Sequence, residues 1–206
     1  MKENLHISTK IYYGIGSLGK VVQGLAGSTF LLYFYTEVLH IGAGISASII
    51  FFAKLFDIVN DPLIGAIVDR TKSKDGKCRA YLKYFAVPTG ICLALCFCAP
   101  MESAGGKIIW VILTYGIQAT ASSFIQIPMN TLMGRLSEDA QQRSHLNQIS
   151  GLISLAANYV IVSWTLPVAA FFGKENLETG FMAVGMIYGV IYAASYMIVY
   201  WGTRGL

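Results

Sequence analysis

Charge is scarce in this sequence. Only 13% of its 206 residues are Asp, Glu, Lys or Arg, against roughly 25% in ordinary soluble domains. The mean hydropathy of +0.57 makes a water-covered surface hard to build. Cysteine is sparse too. The four present, Cys78, Cys92, Cys96 and Cys98, include no C-x-x-C pair, and three lie in one apolar segment, where a thiol serves as a small packing residue. The three histidines, His6, His40 and His145, have no partners at catalytic spacing. No Ser–His–Asp arrangement and no metal-ligand cluster emerges. The polar stretch Met1–Lys10 is followed by no small-residue cleavage site, so a cleaved signal peptide is not expected.

What the chain does contain is long apolar runs. Six stand out, approximately Ile11–Leu39, Ala43–Val68, Tyr81–Ala99, Ile108–Met133, Leu146–Phe172 and Thr179–Gly202. Crossing the hydrocarbon layer takes about 20 residues of helix, and only helices or closed barrels satisfy backbone polar groups in lipid. The runs are continuously apolar rather than alternating, which points to helices. The net charge of +4 then reports orientation rather than nucleic-acid binding. Loops on one side hold only Lys107 and Lys174. The other side collects eleven basic residues, in the N-terminal tail, the loop Arg70–Lys83, the loop bearing Arg135 and Arg143, and Arg204. Basic residues stay cytoplasmic, so both termini are expected in the cytoplasm.

Pro62, Pro88, Pro128 and Pro167 lie in or near the spans, where membrane helices tolerate them. Gly14, Gly16, Gly19, Gly24 and Gly27 give the first span a surface that neighbouring helices can approach closely. The short G-x-G at Gly14–Gly16 lacks the strand–turn–helix setting of a nucleotide site. Tyr12, Trp110, Tyr200 and Trp201, near span ends, read as interface anchors. Tyr115 and Gln118, midway in the fourth span, are as suited to packing as to facing a solute.

Charged residues inside a membrane are costly and mark function by default. The second span has three: Lys54, Asp57 and Asp61. The two aspartates are one helical turn apart on one face, with Lys54 on the same side. Two bare carboxylates so close repel, so one holds a proton or both share a cation. Na⁺ or a proton would neutralise the pair, with Lys54 and Lys20 balancing it when no cation is bound. The competing reading, a Lys54–Asp57 ion pair that fixes packing, leaves Asp61 without a role. Pro62 removes a backbone donor beside the carboxylates and frees carbonyl oxygens. Asp69, Arg70 and the basic loop behind them stand where interdomain salt bridges could form a cytoplasmic gate. They also fit a solvated, orienting loop.

The pattern Asp-x-x-x-Asp-Pro-x-x-Gly-x-x-x-Asp-Arg at Asp57–Arg70 resembles the signature of the glycoside–pentoside–hexuronide:cation symporters, the melibiose-permease branch of the major facilitator superfamily. Tyr13–Lys20, Tyr33–Val38, Ile127-Pro128, and Arg143 after Ser137-Glu138-Asp139 are similar to other family segments, in order along nearly all of the chain. The resemblance implies a cation site at Asp57, Asn60, Asp61 and Ser123, with Lys20 and Lys54 at the family's basic positions in the first two helices. It implies a sugar site less completely. Val21 stands where melibiose permease has an aspartate, Gln126 replaces a fourth-helix aspartate, and Gly151 replaces a fifth-helix arginine. Gln126 and Arg143 remain as candidate substrate contacts, and a different glycoside, pentoside or hexuronide is expected rather than melibiose.

The expected fold is therefore all-α: a six-transmembrane-helix bundle over residues 1–206, equivalent to the N-terminal half of a twelve-helix major facilitator fold. The expected function is cation-coupled sugar symport by alternating access at the cell membrane, driven by Na⁺, H⁺ or Li⁺, with no cofactor and no enzymatic step. The expected partners are the lipid bilayer, a small sugar or glycoside, a monovalent cation and a second six-helix bundle, with no nucleic acid. A remnant that does not transport, or a half-transporter dependent on a partner, is the alternative. A third reading is a metal-dependent membrane phosphotransferase. It meets aspartates spaced four apart rather than three, Pro62 in place of glycine, and too few oxygen ligands for a divalent ion.

Overall fold

A computed structural model describes residues 7–71, 73, 76–136, 139–174 and 176–204. Lys2, His6, Lys72, Lys74, Ser137 and Glu138, and the side chain of Arg135, lie outside the described residues. The described chain is helical and forms six segments. The first runs Ile7–Leu25 and continues through Ala26–Phe30, Leu31–Tyr33 and Phe34–Val38; the rest are Ala43–Arg70, Lys77–Leu95, Ala104–Leu136, Ala140–Gly173 and Leu177–Gly202. In the continuation of the first segment the backbone twice widens to π-type turns, with Leu31 N–H bonding to Ala26 O and Leu39 N–H to Phe34 O. Such widenings occur often at functional sites.

By length and composition, four helices among the described residues can cross a membrane: Ala43–Arg70, Ala104–Gly134, Ala140–Gly173 and Leu177–Gly202. The first segment is interrupted by the π turns and carries Ser17, Lys20 and Gln23. The third begins with Lys77, Arg79 and Lys83. Several helices outrun their apolar cores, because a helix stops where capping chemistry stops it rather than where hydropathy falls. The fifth helix starts at Ala140, where Asp139 caps it by accepting from Gln141 N–H. Arg143 and His145, expected in a loop, are thus helical. The third helix starts after Gly76, whose φ of 86° suits glycine, and ends at Leu95 rather than Ala99 as the chain turns through Cys96–Cys98.

The helices pack in a definite order. The third lies along the sixth, the first against the fifth and sixth, the fourth along the third, and the second against the fourth. Small residues set the closest approaches, as the sequence suggested. A Cβ on Gly16 would meet Met129 Cε at 2.5 Å, and one on Gly19 would meet Tyr196 at 2.5 Å. Arg79 reaches the sixth helix, donating to Tyr200 O at 3.0 Å with its guanidinium 5.2 Å from the Tyr200 ring centre. Tyr200 is therefore a buried packing residue rather than an interface anchor. Tyr115 is buried too, its hydroxyl donating to Gly27 O at 3.4 Å.

Burial is uneven. The sixth helix buries a full stripe, whereas the second buries only Ser46, Ile64 and Val68. Phe51, Phe52, Leu55, Leu152, Leu155 and Trp164, on the second and fifth helices, point outward. Such a surface suits lipid or another helical bundle, not water.

The tightest contact gives a direct test. A Cβ on Gly90 would lie 2.5 Å from Gly189 O, backbone that cannot yield, while one on Gly24 meets nothing within 4 Å. Gly90→Ala is expected to destabilise the purified chain by about 1–3 kcal/mol, read as a lowered midpoint of thermal unfolding in detergent. Gly24→Ala is expected to leave it unchanged or slightly raised.

Candidate functional site

The second helix carries its carboxylates toward the fourth. Ser123, buried on the fourth helix, donates its hydroxyl to Asp61 Oδ1 at 2.6 Å, the length of a charge-assisted bond. One turn earlier, Asp57 is half-buried and its Oδ1 is shielded from solvent with no hydrogen-bond partner among the described residues; Asn60 Nδ2 is in the same condition. The charged groups acting on Asp57 are Lys54 and Asp61. Lys54 itself is exposed. Ser123 thus ties the fourth helix to Asp61, which is otherwise exposed, while Asp57 and Asn60 lie within the preceding turn of the second helix, each with a buried polar atom left unfilled among the described residues. A half-turn of the Asn60 amide would add its oxygen. That set suits a small hard cation or a shared proton.

A second set of polar residues lines a cavity. It measures about 160 Å³ and opens between the first, fourth and fifth helices, space for about five waters. Each helix contributes a stripe at i, i+3, i+4 and i+7: Tyr13, Gly16, Ser17 and Lys20 from the first; Gln126, Met129, Asn130 and Met133 from the fourth; Asn147, Ser150, Gly151 and Ser154 from the fifth. Tyr196 closes it from the sixth. Gln126 Nε2 donates to Gln23 Oε1 at 2.9 Å, which leaves the Gln126 oxygen free to accept. Ser17 donates to Gly14 O and to Ser150 O, at 2.6 and 3.1 Å. Ser150 Oγ is buried without a partner among the described residues.

Lys20 and Lys54 are carried by different helices, the first and the second. Lys54 accompanies the carboxylates, and Lys20 lines the cavity with Gln126. Arg143, near the start of the fifth helix, is exposed and is not among the residues lining this cavity. Asp69 and Arg70, expected at a gate, are both exposed at the end of the second helix, where Lys77 Nζ donates to Asp69 O at 2.7 Å. Gln118 is buried with its Nε2 unpartnered. Sequence reasoning missed Asn130, Asn147, Ser150 and Ser154. Their signal was present as polar residues recurring at helical spacing inside apolar runs. A larger groove of about 920 Å³ between the second and fourth helices is almost wholly apolar, with walls such as Ile45, Phe52, Phe56 and Phe124. Ser48, Tyr115 and Thr120 are its hydroxyl-bearing walls.

With this geometry in view, comparison with known proteins places the chain. Residues 12–205 match the family described as MFS/sugar transport protein, and the chain belongs to that family. It is 31% identical over 90% of its length to YagG of Escherichia coli (strain K12), whose name describes a glycoside/cation symporter. It is 31% identical over 86% to the isoprimeverose transporter of Lactiplantibacillus pentosus. It is 28% identical over 87% to the inner membrane symporter YicJ of Escherichia coli (strain K12). The matches cover 40%, 37% and 39% of those proteins, so the chain spans about two fifths of the length of the relatives it matches. Family membership makes this a multi-pass membrane protein of a transporter class, not an enzyme, and removes the phosphotransferase reading.

The cavity can be tested without knowing the substrate. In a chain whose four native cysteines are replaced by serine, Asn147→Cys and Ser154→Cys are expected to react with a membrane-impermeant charged thiol reagent in open membranes. Leu152→Cys and Leu155→Cys, on the outward face of the same helix, are expected to stay unlabelled, because a thiol in lipid does not ionise. Equal labelling of all four would contradict a polar cavity on that side of the helix.

Proposed function

We propose that the chain forms one six-helix bundle of a cation-coupled symporter for a sugar or glycoside, working by alternating access with a second six-helix bundle. The observation that carries this reading is the pairing of two unlike clusters in one bundle: a carboxylate set fit for a monovalent cation, and a polar cavity fit for hydroxyl groups. The relatives' names, glycoside/cation symporter and isoprimeverose transporter, agree with a sugar and a cation as joint cargo. The poorly buried second and fifth helices offer the face on which a second bundle would rest. The proposed orientation puts both termini in the cytoplasm of a cell-membrane protein, with Asp69 and Arg70 at the cytoplasmic gate.

In this mechanism Na⁺, with H⁺ or Li⁺ as substitutes, binds at Asp57, Asn60, Asp61 and Ser123. Neutralising the two carboxylates removes their repulsion and fixes the second helix against the fourth. The fourth helix also carries Gln126, Met129 and Asn130 into the sugar cavity, so ordering one face of it tightens the other. Coupling is then reciprocal, each ligand raising the other's affinity by the same factor. Lys54 balances the carboxylates when the cation leaves.

The test is equilibrium binding of a glycoside and hexuronide panel to the purified chain in lipid nanodiscs, with and without Na⁺. Binding is expected to be stimulated by Na⁺, and the stimulation lost in Asp57→Asn/Asp61→Asn. Ser123→Ala is expected to raise the Na⁺ concentration for half-effect roughly three- to tenfold, the worth of one hydrogen bond to a carboxylate. Sugar binding that ignores Na⁺ and survives the double variant would contradict cation coupling.

A further inference from the structure

The first segment widens at Ala26–Phe30, and the widening changes the bonding of one backbone acceptor. In a regular α-helix the Leu31 N–H would bond to Gly27 O, four residues back. Here it bonds to Ala26 O instead, so the Gly27 carbonyl loses its α-helical donor. The Tyr115 hydroxyl, from the fourth helix, takes that place, donating to Gly27 O at 3.4 Å. That is long beside the usual O–H···O distance of about 2.8 Å. Tyr115 also lies within the field of Asp57. Its side chain is 3% exposed and lines the apolar groove together with Ala53 and Phe56 of the second helix, which precede Asp57 by one turn and by one residue. Asp57 acts electrostatically on the Tyr115 hydroxyl, and its own Oδ1 is shielded without a partner among the described residues. The hydroxyl therefore has a slack bond to a neutral acceptor and a charged, stronger acceptor in its field.

We propose that Tyr115 is a positioning residue that passes the occupancy of the cation site to the first helix. It holds the turn at Ala26–Phe30 open when Asp57 is neutralised and releases it when Asp57 is bare. This rests on the symport reading and names the residue that carries its coupling. The turn is the two-state element. Leu31 N–H serves Ala26 O in the wide form and Gly27 O in the α form, and the Tyr115 hydroxyl decides between them. With a bare carboxylate at Asp57 the hydroxyl turns to the charged acceptor. Gly27 O then recovers the Leu31 N–H, and the turn narrows. A cation on Asp57 reverses both steps, because it favours one of the two states over the other. Gln23, one turn before Gly27, accepts from Gln126 Nε2 at 2.9 Å, and Gln126 lines the polar cavity. A change in the turn is thereby carried toward that cavity along the first helix. A Tyr115 that only satisfied Gly27 O would fix the turn whether or not a cation is bound.

The experiment reads the turn itself and needs no sugar. Phe30, the last residue of the turn, is replaced by 4-fluorophenylalanine in the chain in nanodiscs. Its ring centre lies 6.4 Å from that of Tyr188, so a small rotation of the turn changes the ring-current shift of its ¹⁹F resonance. A saturating cation (Na⁺, or Li⁺ or H⁺ where the chain binds these instead) is expected to move that resonance. Tyr115→Phe keeps the buried ring, and it should lose the movement while retaining the calorimetric heat of cation binding. Asp57→Asn should lose both. Elution as a single species, with that heat retained, shows that Tyr115→Phe folds. Equal movement in Tyr115→Phe, or a resonance that stays fixed while the native chain binds its cation, overturns the proposal and leaves the symport reading standing. Loss of the heat in Tyr115→Phe makes the hydroxyl part of the cation site itself and also overturns it. If the chain binds no Na⁺, Li⁺ or H⁺, this proposal and the symport reading fall together.

Discussion

Two carboxylates one helical turn apart, on a helix long and apolar enough to cross a bilayer, impose the constraint on which the rest depends. Repulsion between like charges is strong where water is scarce, so the protein must supply donors, a proton or a cation. The fourth helix supplies one donor, the Ser123 hydroxyl on Asp61. Asp57 Oδ1 is left shielded and unanswered by the described residues. The second helix has few other ties. Its main neighbour is the fourth, and only Ser46, Ile64 and Val68 are buried along its length. Whatever neutralises the carboxylates therefore has a large say in how firmly this helix is held, which is the physical basis for coupling a small ion to a conformational change.

The contrast with the third and sixth helices shows how the fold divides its labour. Those two approach backbone to backbone at Gly90 and Gly189 and are braced by Arg79 on Tyr200. Phe97 and Phe181 stack nearby with ring centres 6.2 Å apart. They form a closely packed wall. The first and fourth helices stand between that wall and the more exposed second and fifth, and they carry polar stripes inward. A closely packed pair, a polar middle and a sparsely buried face are the parts that rocking of one bundle against another would require.

Much of this was legible in the sequence. The six helical segments followed from apolar runs, and the glycine approach surface of the first followed from Gly16 and Gly19. The spacing of four sets Asp57 and Asp61 on one helix face, and the family resemblance points to Ser123, whose hydroxyl donates to Asp61. What stayed hidden depended on which helices become neighbours. Nothing in the sequence says that Lys20 shares a cavity with Asn147 and Ser154, because that requires the first helix to lie against the fifth. The register of helix starts was also obscure. The fall in hydropathy around Arg143 reads as a loop, yet the helix capped by Asp139 starts at Ala140 and includes it. The polar stripes at i, i+3, i+4 and i+7 were available to periodic analysis, but runs of high hydropathy mask a few amides and hydroxyls.

The most direct test of the cation site is a calorimetric Na⁺ titration of the chain in nanodiscs, without sugar. One Na⁺ per chain is expected to bind, with the heat lost in Asp57→Asn and in Asp61→Asn and retained in Gln126→Leu, which alters only the polar cavity. If protons replace Na⁺, the same variants should abolish proton uptake measured in weakly buffered solution. Cation binding that persists in both aspartate variants, or the absence of any Na⁺, Li⁺ or proton binding by the folded chain, would contradict the account.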